Sequence, residues 1–354
     1  MILLNPGPVN VSPRVRAALA REDICHREPE FADLQDSIRT RLVDAFAPGA
    51  GFASVLITGS GTAALETAVT SVLSARGRLV VVSNGVYGER IAAMAAAANL
   101  PHTVVEGAWT EPPDLDAVER ALRAPDVEAV AVVHHETTTG LLNPVADVAR
   151  LARRHGKLVL VDSVSGLAGD ALDFANLDLV VGTGGKCIQA FPGLGFVLVR
   201  REAMARLASH PRRSLYLSLP VHWEAQERRT VPFTPAVQLA YALDEALAEL
   251  LEEGVANRIR RYGAAADLLR RGFARLGLSF VLPAERRSNS ITSLWLPATR
   301  SYAALHDGLK ARGFVIYEGQ GRLAPRIFRV ASMGHLGSAD FERFLAALGE
   351  VLGA

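Results

Sequence analysis

Cysteine is almost missing from this 354-residue chain, which has two, Cys25 and Cys187. Two thiols without metal-ligand spacing make neither a disulfide framework nor a zinc site, and they suit a reducing compartment. Long apolar runs are missing as well, since no stretch approaches the ~20 residues that cross a bilayer. The opening "MILLNPGPVN" has no basic region and no signal-length apolar segment. Nor is there an excess of charge. Lys and Arg total 38 against 37 Asp and Glu, a net of +1. That balance gives no electrostatic footprint for nucleic acid or an anionic membrane. Internal repeats and low-complexity segments are absent too. The expectation is a soluble cytoplasmic protein with neither kind of partner. A small anionic substrate stays open, because it needs only a local arginine cluster.

What is present is an ordinary globular composition, 49% hydrophobic and 21% charged. From about residue 53 to 200 strand and helix patterns alternate. "ASVLIT", "RLVVVSN", "HTVVEG", "EAVAVVHHE", "KLVLVDS", "LDLVVGT" and "GFVLVRR" read as seven strands. Helical spacing follows most of them, as in Leu65, Ala68, Val69, Val72 and Leu73. Asn143 and Pro144 suit the cap and first position of one such helix. No clear helix joins the sixth strand to the seventh. Continuous Val and Leu runs mean strands buried on both faces, so the pattern is a doubly wound, mostly parallel α/β sheet. Beyond about residue 235 long amphipathic helices and three short apolar segments suggest a smaller α+β domain. The expected division is a large domain over 15–235 and a small one over 236–354, with the helix at 236–253 bridging them.

In doubly wound sheets ligands bind outside the carboxyl ends of the strands. The loops there are unusual. "GSGTAALE" puts Ser60, Gly61 and Thr62 at a helix start, which suits either a phosphate or a plain helix cap. "SNGVYGER" offers Tyr87, either a plate for a planar ring or a packed loop residue. "HHETTTGLLNP" is a dense polar cluster; its adjacent histidines leave an extended chain on opposite faces, which argues against a metal. Asp162 ends a wholly apolar strand, where a carboxylate needs a cation or donor. Lys186 stands after the next strand among glycines. Together these make a phosphate cradle, an aromatic plate, hydroxyls, a buried carboxylate and a desolvated lysine. Pyridoxal 5'-phosphate needs those groups: lysine for its aldehyde, aspartate for its pyridine nitrogen.

Those loops, with "GGKCIQAFPGLGFVLV", "GFVIYEG" and "RIFRVASMG", resemble the class V aminotransferases of fold type I over nearly the whole chain. Within that family the likeness is greatest to members that transaminate 2-aminoethylphosphonate with pyruvate. Alanine–glyoxylate or serine–glyoxylate transamination is the alternative. The resemblance implies that Lys186 and Asp162 are catalytic. Ser60, Gly61, Thr62, Tyr87, Thr138 and Thr234 would join them in holding the cofactor. Thr138 would stand near the ring oxygen, and Thr234 would reach the phosphate of a neighbouring subunit in a homodimer with shared sites. Arg329 would bind the substrate acid group as a two-pronged fork. Residues 1–14 would be an arm whose Gly7 lines the substrate mouth. The partners would be a small amino donor and a keto-acid acceptor. In "DICHREPEF" the pair His26-Arg27 departs from the phosphonate branch and resembles serine–glyoxylate and phosphoserine enzymes, so it is read either as a phosphonate anchor or as the mark of another donor. Arg27, Arg322 and Arg326 are candidates for further anion binding. A desulfurase would need a mobile nucleophilic cysteine, which the positions of Cys187 and Cys25 disfavour.

Overall fold

The computed structural model describes residues 1–353. Seven strands form the central sheet: β1 (Phe52–Thr58), β2 (Arg78–Ser83), β3 (His102–Glu106), β4 (Val127–Val133), β5 (Leu158–Asp162), β6 (Leu179–Thr183) and β7 (Leu194–Arg200). Their order is β1-β7-β6-β5-β4-β2-β3. Only β7 runs antiparallel to its neighbours, β1 and β6. A parallel neighbour needs a crossover of a dozen or more residues, usually helical. Residues 184–193 form turns instead, so the chain comes straight back.

Alternate strand residues feed two cores. Val80, Val82, Val130, Val132, Val159 and Val161 pack on one face with the helices Pro29–Phe46 and Val237–Glu253. Leu79, Val81, Ala129, Ala131, Leu158 and Leu160 pack on the other with α1 (Gly61–Ser71) and α2 (Val86–Ala97). Unbroken Val and Leu runs are what two buried faces require.

The helix Val237–Glu253 does not bridge two cores. It buries Ala240, Leu243, Leu247 and Leu250 in the large-sheet cluster, against the helix Pro29–Phe46. A separate cluster gathers Leu269, Phe273, Leu294, Phe328 and Phe344. It lies around an antiparallel sheet of Ile291–Trp295, Tyr317–Glu318 and Ile327–Ala331. The N-terminal strand Ile2–Leu3 pairs with Phe314–Val315 of this part, and Leu4 joins its core. The arm then crosses to the carboxyl ends of the main sheet.

Two local readings change. "EAVAVVHHE" is not one strand: β4 stops at Val133, and His135–Glu136 forms a small hairpin with Leu141–Leu142. Asn143 does not cap the helix Val145–Arg154, where Pro144 holds the cap position. Its amide instead bonds Asn84 and the Val133 carbonyl, closing off the end of β4. Among the described residues no helix is long and apolar enough to cross a membrane.

Candidate active site

Lys186 stands in the turn after β6, and its Nζ donates to the carbonyl of Pro6 on the N-terminal arm. Gly7 follows with φ +124°, and a side chain there would overlap the lysine amine. Glycine is thus required twice over, by backbone and by space. Burial holds the amine down to about 8, and the cations Arg329 and Arg90 act in the same direction. A lysine so placed is neutral, and nucleophilic, far more often than one in water.

Asp162 ends β5 and is buried. Its Oδ1 accepts the Val164 N–H at 3.0 Å, and Oδ2 has no partner among the described residues. Burial pushes this carboxyl up to about 6, opposed by Arg90 and Lys186. Glu136 is wholly buried beside it in the hairpin. Its Oε2 accepts the N–H groups of Tyr87 and Gly88 at 3.1 and 3.3 Å, capping the start of α2. Its Oε1 accepts the Thr138 hydroxyl at 2.6 Å, and that hydroxyl accepts the Val86 N–H at 3.1 Å. Thr138, expected at the ring oxygen, is therefore committed to the cap. The hydroxyl left over is that of Thr137, buried with no partner. Three consecutive threonines gave the sequence no means of choosing between them.

At the start of α1 the Ser60 hydroxyl accepts the Ala63 N–H at 3.4 Å. The N–H groups of Gly61 and Thr62 have no acceptor among the described residues, so a helix dipole with free donors faces outward. A Cβ on Gly61 would come within 2.8 Å of the Val164 side chain, so glycine lets the loop lie against the strand ends. Tyr87 enters from α2, and the Arg90 guanidinium lies 4.5 Å from its ring centroid.

Arg329 comes from the small sheet and is buried. Its Nε donates to the Glu318 carbonyl at 2.9 Å. Its Nη1 donates to the Thr137 carbonyl at 2.9 Å and to Gln320 Oε1 at 3.1 Å. The two-pronged fork expected of it is not free, because each prong pair has one member engaged; Nη2 alone is uncommitted. Burial lowers the guanidinium pKa, but it remains a cation.

The other expected residues have these surroundings. His26 is half-buried and Arg27 exposed, and neither makes a hydrogen bond or ion pair among the described residues. Arg322 and Arg326 stack on Trp109 and Trp295, at 4.1 and 5.1 Å from the ring centroids. Thr234 is exposed on a segment whose Ala236 N–H reaches Thr58 Oγ1 at 3.4 Å. Burial pushes the Cys187 thiol up to about 12, so it stays protonated and inert, while Cys25 is exposed. Glu136, Thr137, Arg90 and Gln320 carry site contacts that no motif assigned to them.

The Aminotransferase class-V family matches residues 15–329. The 2-aminoethylphosphonate–pyruvate transaminase of Vibrio vulnificus (strain YJ016) is 38% identical, across 98% of this chain and 96% of its own length. That of Salmonella heidelberg is 34% identical, over 98% and 96%. Among solved structures, the alanine–glyoxylate aminotransferase of Nostoc sp. superposes with a TM-score of 0.92 at 27% identity, covering 99% of this chain and 95% of that one.

Proposed function

The chain belongs to the class V aminotransferases, and from that membership we propose that it moves the amino group of 2-aminoethylphosphonate to pyruvate with pyridoxal 5'-phosphate, giving phosphonoacetaldehyde and L-alanine. The observation that carries this reading is identity of 34–38% over nearly full length to transaminases named for that reaction. The alanine–glyoxylate alternative has weaker support, a structural neighbour at 27% identity.

The residues at the strand ends fit the cofactor. Thr137 has a buried hydroxyl in want of a partner, Asp162 a free carboxylate oxygen, and α1 two unpaired N–H groups. Bound pyridoxal phosphate supplies an electron sink for charge developing at the carbon that bears the amino group. Asp162 Oδ2 would face the pyridine nitrogen. Gly61 and Thr62 would donate to the phosphate, with Ser60 beside them, and Tyr87 would lie on the ring. Thr137, rather than Thr138, would donate to the ring oxygen. Lys186 Nζ would hold the cofactor, and then take up and return a proton; an amine titrating near 8 can do both around neutral pH. Arg329 would receive the acid group of each substrate. Exposed Thr234 suits a role across a homodimer interface.

An absorbance screen of half-reactions tests the reading. Holoenzyme is mixed separately with 2-aminoethylphosphonate, alanine, serine and phosphoserine, and conversion to the pyridoxamine form is followed. Conversion with 2-aminoethylphosphonate and alanine is expected. Conversion with serine or phosphoserine, and none with 2-aminoethylphosphonate, would overturn the substrate and leave the family intact.

A further inference from the structure

Arg329 gives three of its five N–H donors to its own chain, to Glu318, Thr137 and Gln320. What remains is Nη2, one donor on each side. Planar carboxylates are held best by two parallel N–H groups of one guanidinium edge. Neither edge of Arg329 is intact, so an anion bound at Nη2 needs its second donor from another residue.

Gln320 is the residue in contact. A guanidinium has no acceptor, so the amide oxygen must face Arg329 and the NH2 must point away from it. That NH2 has no acceptor among the described residues. The backbone fixes the residue on both sides: the Gly319 N–H donates to Ile327 at 2.9 Å, and the Gln320 carbonyl accepts the Leu323 N–H at 3.0 Å. Gln320 is half-buried. Its backbone is thus fixed, and its amide is oriented by the bond to Arg329, before any substrate arrives.

We propose that Gln320 is a substrate-binding residue whose amide NH2 and Arg329 Nη2 together take the acid group, favouring a three-oxygen phosphonate over a two-oxygen carboxylate. The inference rests on the reading that Arg329 receives that acid group. A tetrahedral oxyanion presents oxygens in several directions, and it can meet two donors that belong to different planar groups. A carboxylate cannot do so without tilting away from one of them.

The test uses holoenzyme of wild type, Gln320→Ala, Gln320→Met and Gln320→Glu. It measures kcat and KM for 2-aminoethylphosphonate and for alanine, and the dissociation constant of methylphosphonate. Loss of one hydrogen bond to a charged group predicts a KM for 2-aminoethylphosphonate raised about tenfold in the Ala and Met variants. Methylphosphonate should weaken to the same degree, and kcat should hold within about twofold. The alanine KM should move less. Gln320→Glu sets a like charge against the substrate and should exceed both neutral variants in its effect. An unchanged or lowered KM in Gln320→Ala would overturn the proposal, since Gln320 would then only be occupying a donor that substrate needs. Equal losses for both substrates would overturn the phosphonate preference. Should wild type fail to use 2-aminoethylphosphonate, the function falls, while methylphosphonate binding still decides the role of Gln320.

Discussion

Asp170 shows what an unanswered charge does inside this protein. It is buried; Oδ1 accepts the Asn289 N–H at 2.8 Å, and Oδ2 has no partner. Burial pushes its carboxyl up to about 7 despite Arg270 nearby. The folded form therefore binds more protons than the unfolded one between about pH 4 and 7, and its stability falls as pH rises through that window. Asp170→Asn should raise the melting temperature by several degrees at pH 8 and by only about a third as much at pH 5. An equal shift at both would show that the carboxyl does not titrate there. Lys186 is displaced the other way, from 10.5 to about 8, so its folded form binds fewer protons and stability rises with pH between those values. Lys186→Met should make the cofactor-free protein more stable at pH 7 and cut turnover at least about 10³-fold. Retained turnover would mean the lysine is misassigned. Lys186 and Asp162 were legible in sequence because a charge at the end of an apolar strand needs a reason. Thr137 was not, since only the partners of its neighbour distinguish it from Thr138. Gln320 was not either: it directly follows "GFVIYEG", but it meets Arg329 only through the small sheet.

Among the elements, α2 depends most on a residue outside itself. Its cap residue, Gly85, has no side chain to offer, and Glu136 of the facing hairpin supplies the carboxylate instead. A Cβ at Gly85 would collide with that carboxylate, so the two residues fit as a pair. Glu136→Ala would strand the N–H groups of Tyr87 and Gly88 and the Thr138 hydroxyl. The expected loss is about 2–4 kcal/mol, with a lower melting temperature and weaker cofactor binding, because Tyr87 starts from that cap. Glu136→Gln keeps an acceptor oxygen and should lose less. A melting temperature unchanged in Glu136→Ala would rule out the cap. The long strands were legible from their Val and Leu runs. The hairpin around Glu136 was not, because two-residue strands have no periodicity, and its polar residues face a site rather than solvent.

At the scale of the molecule, two cores must be held in register for the site to exist, since Lys186 and Asp162 belong to one sheet and Arg329 to the other. The bond from Arg329 to the Thr137 carbonyl and the one from Lys186 to Pro6 tie them. The change from one sheet to another was readable in the sequence. The side taken by the helix Val237–Glu253 was not, because an amphipathic stripe does not say which neighbour it will meet. A second chain is the last component. If Thr234 of one subunit completes the phosphate site of the other, Lys186→Ala and Thr234→Asp damage different halves of a shared site. Each variant alone should be nearly inactive. Mixed one to one and allowed to exchange, half of the dimers become hybrids, each with one intact site, and activity should return to about a quarter of wild type. No recovery, with exchange verified by mass, would mean that each subunit builds its site alone. Recovery would place Thr234 in the partner's site.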